Sequence, residues 1–430
     1  MAEQTLTNIA QSGLCTGCGT CVSLCPKEAI QIKINQEKGI YEPEIIDKKC
    51  TNCKLCLKVC PGHEIDFKDL NQEIFGTDAE DILVGNYLNS YTGYSTDHEI
   101  RYNSSSGGLA TQLLIFALEE GLIDGALVTR MKRDNPLEPE PFIARTKEEI
   151  IEASRSKYCP NPANIALQEI LQSDGNERIA VVGLPCHIHG IRKAEKINKK
   201  LGKKIVLHLG IFCSINRNFL SQEYLLKKLN IDRNDILKID YRGKGWMGDM
   251  TITLKNGCEK SCSYQTYWRD ILNLYFIPTR CTLCSDQFCE LSDISFGDIW
   301  LPEYRSDKIG TSVIISRTET GNRILNQMKA ANKINLSEIK REKLIQSQAN
   351  ALKLKKKYLK AHISLRKALR KKFPDYNQKL LKPDLGSYLH VILFYLRGYL
   401  SSKRYLWGLL EPFSKLVKKP REILRIVANR

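Results

Sequence analysis

Two short runs near the N-terminus constrain this chain more than any other feature. Cys15, Cys18, Cys21 and Cys25 follow C-x2-C-x2-C-x3-C and lead into Pro26, and Cys50, Cys53, Cys56 and Cys60 repeat the pattern 35 residues later, leading into Pro61. A [4Fe-4S] cube takes four soft thiolates, and x2 spacings wrap three of them around one face, so the runs suit a pair of cubes. Zinc knuckles are the alternative, but zinc sites favour paired C-x2-C units over four thiols in one run closed by proline. The chain carries 16 cysteines in 430 residues and has neither a basic-then-apolar leader within residues 1–11 nor the ~18-residue apolar stretch of a spanning helix. Thiols of an unexported chain stay reduced, so the expectation is a cytoplasmic protein whose cysteines bind metal. Between the runs, residues 29–34 and 41–46 read as short strands around Glu37-Lys38-Gly39.

Composition matters here mainly through charge. The net charge is +17, but from Lys340 onward 24 Lys/Arg face 5 Asp/Glu, which leaves +19 there and −2 on residues 1–339. The basic character belongs to a tail. No recognition motif accompanies it, so nucleic acid is not an expected partner. With 42% apolar and 26% charged residues, the rest can bury a real core.

After a polar stretch at 68–81 the pattern changes. Ser105-Ser106-Gly107-Gly108 opens a segment of helical periodicity, 109–120, which leads into a strand at 124–129. Such a loop offers free N–H groups to phosphate, or is an ordinary capped helix start. Residues 179–186 and 205–213 are both apolar strands ending in Gly-x-x-Cys, with a helical segment, 187–201, between them. That is a βαβ unit, which brings Cys186 and Cys213 to one carboxyl edge of a parallel sheet. Cys281 and Cys284 would complete a third four-thiolate site. The local alternative is zinc on Cys281, Cys284 and Cys289, with a histidine or Cys262 as fourth ligand. Cys159, Cys258, Cys262 and Cys289 are left as unligated thiols, and His187 and His189 as solvated or supporting rings. Gly243-x-Gly245-x-x-Gly248 imitates a dinucleotide fingerprint, but residues 249–257 alternate like a strand ending in a turn, so the glycines belong to a hairpin loop.

The cysteine runs resemble those of two-cluster ferredoxins. The resemblance implies that the fourth cysteine of each run crosses over: one cube on Cys15, Cys18, Cys21 and Cys60, the other on Cys50, Cys53, Cys56 and Cys25. Further on, Ser105 to Gly108, Ser156-Lys157-Tyr158, Gly183-Leu-Pro-Cys186, Gly210-Ile-Phe-Cys213 and Cys281-x2-Cys284 running into Ser292-Asp-Ile-Ser-Phe-Gly-Asp298 occur in order. Together they resemble the coenzyme F-420 (F420) hydrogenase/dehydrogenase beta-subunit family over about residues 83–318. That resemblance implies FAD near Ser105, Ser106, Gly107 and Gly108, a [4Fe-4S] cluster beside it, and hydride exchange with F420. Related branches reduce chlorophyll precursors or sit in polysaccharide gene neighbourhoods. Lys157 would pair with a flavin phosphate or an acidic deazaflavin tail, or is a surface lysine.

The expected architecture is α+β. A two-cluster ferredoxin domain (1–68) precedes an α/β domain for FAD and [4Fe-4S] (83–335), followed by a basic, amphipathic helical tail (341–430). The expected function is an iron-sulfur flavoprotein oxidoreductase passing electrons between F420 and one-electron carriers. The alternative is a relay subunit without its own flavin. A redox partner protein or ferredoxin, or a larger oxidoreductase complex, would receive or supply the electrons. Residues 352–373 carry ten Lys/Arg and no acidic residue, and 385–400 is apolar but for Arg397. The tail therefore either packs on the body or a partner, or rests on the inner face of a membrane.

Overall fold

The computed structural model describes residues 5–417; residues 418–430, expected to continue the basic amphipathic tail, lie outside them. Strands β1 (Ile30–Asn35) and β2 (Ile40–Ile45) pair antiparallel, as their alternation predicts. The turn between them reaches Gly39 at φ +62°, a conformation that suits a residue without Cβ. The polar stretch after this head is not a break. It holds the helix Phe67–Phe75, capped by Asp66 and anchored by buried Phe67 and Leu70.

The main sheet is built from β3 (Asn89–Ser95), β4 (Gly125–Met131), β5 (Pro139–Ala144), β6 (Ile179–Gly183) and β7 (Ile205–Ile211). Three strands then leave it as a separate antiparallel sheet: β8 (Ile236–Asp240), β9 (Asp249–Leu254) and β10 (Glu259–Ser263). The Gly243–Gly248 segment is accordingly the loop of the hairpin that joins β8 to β9. The chain returns through β11 (Ile294–Asp298), β12 (Ser312–Ser316) and β13 (Ile334–Glu338). The eight strands lie in the order β13-β3-β12-β11-β7-β6-β4-β5. The central run β4, β6, β7 and β11 is parallel, and the flanks are antiparallel. Parallel neighbours need a crossover, and the helix Pro185–Ile197 supplies it between β6 and β7. Because helices cover both faces, β6 and β7 read as continuous apolar runs.

One apolar cluster joins Leu24, Val59 and Phe67 of the head to Val181 and Ile188 of the sheet layer and to Leu359 and Tyr376 of the tail. The opposite face packs under the helices Leu109–Glu119 and Glu319–Ala330. The tail helices Leu359–Ala368 and Leu385–Ser402 complete the layer beyond. Head, sheet and tail thus share a continuous interior, which fixes the cysteine loops of the head against the carboxyl edge of β6 and β7.

Candidate iron-sulfur and flavin site

The thiols that lie within one another's electrostatic field fall into three sets. Cys15 lies in the field of Cys60 and Cys18, and Cys21 in that of Cys18, Cys15 and Cys60. Cys60 therefore comes across from the second run. Cys56 faces Cys53, Cys25 and Cys50, the reciprocal exchange. Gly183 lies opposite Gly210 in the parallel register of β6 and β7, so the loops beyond them meet. Cys186 faces Cys213, Cys281 and Cys284, and Cys213 faces the same pair.

Burial pushes the Cys60 thiol up to about 11 and Cys213 up to about 12, with neighbouring thiols adding to the burial effect. Buried thiols crowded together are poor free thiolates, and cations among them would carry the opposing charge, which is the donor chemistry of a cube. Among the described residues no group of three or more His, Cys, Asp or Glu closes around a single metal ion. That is a tighter requirement: ligands of one zinc stand ~3.8 Å apart, given Zn–S bonds of about 2.3 Å, whereas a cube spreads its thiolates over four irons.

The sets form a row. Cys186 also lies in the field of Cys18, and Cys21 in that of Cys56. The third set therefore neighbours Cys15/Cys18/Cys21/Cys60, which neighbours Cys25/Cys50/Cys53/Cys56, where Cys53 is exposed. Of the remaining thiols, Cys258 is exposed, Cys262 lies on β10, and Cys159 is buried beside Tyr241. Cys289 is different. Fully buried at φ +56°, it faces Asp286, Cys186 and Cys213, and a Cβ on Gly210 would stand 2.5 Å from its own. It forms the floor under the third set.

His187 and His189 are buried rather than solvated. The His187 ring takes the Leu184 N–H at 3.2 Å and meets the Asn161 carbonyl at 3.0 Å; His189 pairs with Asp286 at 2.8 Å. Both rings are spent on holding the start of the Cys186 helix.

The two expected flavin motifs meet: the Ser156 N–H donates to Ser105 Oγ at 2.8 Å. Ser106 Oγ donates to the Thr311 carbonyl and the Gly107 N–H to Ser312 Oγ. A Cβ on Gly107 would lie 2.5 Å from the Gly93 carbonyl and 2.9 Å from the Ser312 nitrogen. That glycine therefore serves the approach of the loop to β3 and β12. Gly108, at φ +75°, opens the helix Leu109–Glu119 without any side-chain cap, so the first-turn N–H groups have no hydroxyl or carboxylate of their own at that end. Lys157 answers to neither expectation. Its ammonium is turned inward onto the carbonyls of Ala153, Ser154 and Arg155, where burial pushes it down to about 7.

Tyr158 begins an aromatic wall with Trp268 at 4.4 Å and Tyr264 beyond. Arg242 reaches Tyr158 and pairs with Asp298 at 2.7 Å, tying the end of the Ser292–Asp298 motif to this wall. Arg217, fully buried, lies over Trp268 and donates to the Asn273 and Tyr275 carbonyls; burial pushes it down to about 9. Asn216 links wall and thiols, its side chain donating to the Cys159 carbonyl at 3.1 Å and its backbone N–H to Cys281. Residue patterning did not reveal Arg217 or Arg242, because an isolated arginine carries no spacing signal. It also missed the tail's contribution: Lys355 and Lys356 are buried against the third set and Glu290, whereas the sequence counts them among surface cations.

Three comparisons bear on this arrangement. Residues 90–168 and 176–342 match the N-terminal and C-terminal models of the coenzyme F420 hydrogenase/dehydrogenase beta subunit, and residues 14–63 match a 4Fe-4S dicluster domain. The coenzyme F420 hydrogenase subunit beta of Methanothermobacter thermautotrophicus is 30% identical over 251 residues, covering 57% of this chain and 83% of the relative. The coenzyme F420-dependent sulfite reductase of Methanocaldococcus jannaschii is 29% identical over 373 residues, 83% of this chain but 51% of that protein. A chain of the F420-reducing [NiFe] hydrogenase complex from Methanosarcina barkeri superposes with a TM-score of 0.54 at 25% identity, over 67% of this chain and 96% of that one.

Proposed function

The chain belongs to the coenzyme F420 hydrogenase/dehydrogenase beta-subunit family, with a 4Fe-4S dicluster domain in front, and from that premise we propose an iron-sulfur flavoprotein oxidoreductase that exchanges electrons between F420 and a one-electron partner. The observation that carries the reading is the row of three four-thiol sets, its inner end tied through Asn216 to the segment that follows Tyr158. Bound there, FAD would take two electrons as hydride and release them singly to the cubes. Ser105, Ser106, Gly108, Ser156 and Tyr158 would hold it, through hydroxyls, the uncapped helix start and an aromatic face, while Gly107 lets the loop lie against β3 and β12. Lys157 would hold the loop's shape instead of touching a phosphate. Cys15, Cys18, Cys21 and Cys60, then Cys25, Cys50, Cys53 and Cys56, then Cys186, Cys213, Cys281 and Cys284 would bind the cubes.

Anaerobic purification tests this directly. Twelve irons and one FAD per chain, with reversible F420 reduction, are expected. Twelve irons without releasable FAD would favour the relay subunit. Eight irons with bound zinc would remove the third cube.

A second proposal concerns the tail. The helix Leu385–Ser402 turns Leu385, Tyr388, Leu389, Ile392, Leu396 and Tyr399 to solvent. Among the described residues no helix is long and apolar enough to cross a membrane. An exposed apolar stripe on a strongly basic tail supports peripheral contact with an anionic lipid surface.

A further inference from the structure

We propose that Lys355, supplied by the C-terminal extension, is the fixed counter-charge of the Cys186/Cys213/Cys281/Cys284 set and raises the reduction potential of the cube it holds. This rests on the reading that these four thiolates bind a [4Fe-4S] cluster. Lys355 lies beyond residue 342, where the family match ends. Its side chain is nonetheless inside the body, at 2% exposure, with Nζ 3.4 Å from the Cys281 carbonyl. Among the described residues no ion pair joins it to a carboxylate. The groups in its electrostatic field are the thiols of Cys284, Cys213 and Cys281, which become negative as cluster ligands.

Its placement is held from both sides. Lys356, the next residue, is also buried and pairs with Glu290 at 2.5 Å, which pins the turn. Upstream, Gln348 donates to the Asp298 carbonyl at 2.7 Å. Downstream, the Tyr376 backbone carbonyl receives the Phe67 N–H, and its hydroxyl lies on Arg280 at 2.8 Å. A second cation, Arg280, also lies near these thiols and acts on Cys281, Cys284 and Cys186. Arg280 donates to the carbonyls of Pro61, Gly62 and Leu283, and His189 is paired with Asp286. Arg280 is thus held by the head, and Lys355 is the cation that the tail brings to Cys284, Cys213 and Cys281.

A cube that accepts an electron gains one negative charge, with no bond made or broken in the protein. A buried cation at hydrogen-bond range stabilises that reduced form over the oxidised one, because the surrounding dielectric is low. Asp286, beside the same set, opposes it, so the potential reflects their balance. The third set is tied through Asn216 to Cys159, next to Tyr158, so this lysine would fix the energy at which single electrons enter the row.

The test is an EPR-monitored redox titration of the whole protein, purified anaerobically, as wild type, Lys355→Met and Lys355→Arg. Wild-type protein with eight irons would overturn the cluster reading itself, separately from the role of the lysine. With twelve irons, Lys355→Met should move one of three cluster signals to a more negative potential and leave two unmoved, while Lys355→Arg stays near wild type. Three unmoved potentials in Lys355→Met would overturn the proposal. If Lys355→Met holds only eight irons, Lys355→Arg decides: twelve irons at the wild-type potential support the charge, and eight assign the residue to packing instead.

Discussion

Among single residues, thiols and buried charges carry the argument. Cys186 opens the crossover helix and faces Cys213 across the sheet edge. Cys186→Ala should lower the iron content from the expected twelve to eight. Electron transfer from the flavin to the partner should fall more than ~100-fold, beyond what loss of a mere outer partner produces. Unchanged iron and turnover would remove Cys186 from the ligands. Beneath that edge His208 sits between Glu195 at 2.7 Å and Asp293 at 3.1 Å. Burial and Arg192 work against its charge, but the two carboxylates outweigh them and raise it above 6.5. Burial also works against the carboxylates' charge, yet His208 and Arg192 hold both below their ordinary range. His208 therefore lends stability below pH ~6.5 that is lost as pH rises through its raised folded value; the carboxylates lend stability above pH ~4 that is lost as pH falls. His208→Gln should flatten the alkaline side of a plot of Tm against pH. Parallel curves for wild type and variant would show that the network is not linked to stability in that window.

Single elements differ in what their surroundings complete. The helix Leu385–Ser402 buries Val391, Phe394 and Arg397 and leaves a stripe of six large apolar side chains outside. Arg397, which interrupts the apolar stretch when read linearly, turns inward, and the outer face is continuous. Anionic vesicles should float the protein, neutral ones poorly, and Leu389→Glu with Ile392→Glu should abolish flotation without lowering Tm. Retained flotation in that double variant would move the contact elsewhere on the tail. Each exposed Lys or Arg near the lipid adds about 1 kcal/mol, and only those within a Debye length count. Buried Lys355 and Lys356 cannot contribute, so removing residues after Lys382 is a cleaner deletion than removing everything after Lys340.

At the scale of the whole molecule the tail is part of the packed interior beside the third thiol set as well as a surface. The segment from Arg341 to Leu380 runs from the end of β13 past Asp298 of β11 and the third thiol set to the head, where the Ile65 N–H meets the Asp375 carbonyl. Truncation after Lys340 would strip Lys356 from buried Glu290, and breaking a buried pair from one side costs about 3–5 kcal/mol. The truncated chain should hold eight irons rather than twelve and unfold at lower temperature. Twelve irons with an unchanged Tm would show that the extension merely covers a site already closed.

The cysteine runs, the βαβ pair and the hairpin glycines were legible because their chemistry depends on local spacing: x2 steps between ligands, period-two alternation, a strand followed by Gly-x-x-Cys. Even Cys281 and Cys284 could be joined to Cys186 and Cys213 by counting thiols. What patterning could not supply was any relation without a period. Lys157 looks like a phosphate ligand or a surface residue until the chain folds it onto three carbonyls, and Gly107 looks like a phosphate cradle until Gly93 and Ser312 press against it. The buried positions of Arg217, Arg242 and Lys355 depend on segments dozens to hundreds of residues away, and burial of a charge is decided by what packs over it. Ligand chemistry was therefore written along the chain, while the order of the three thiol sets and the cation beside the innermost one exist only once head, sheet and tail share a single interior.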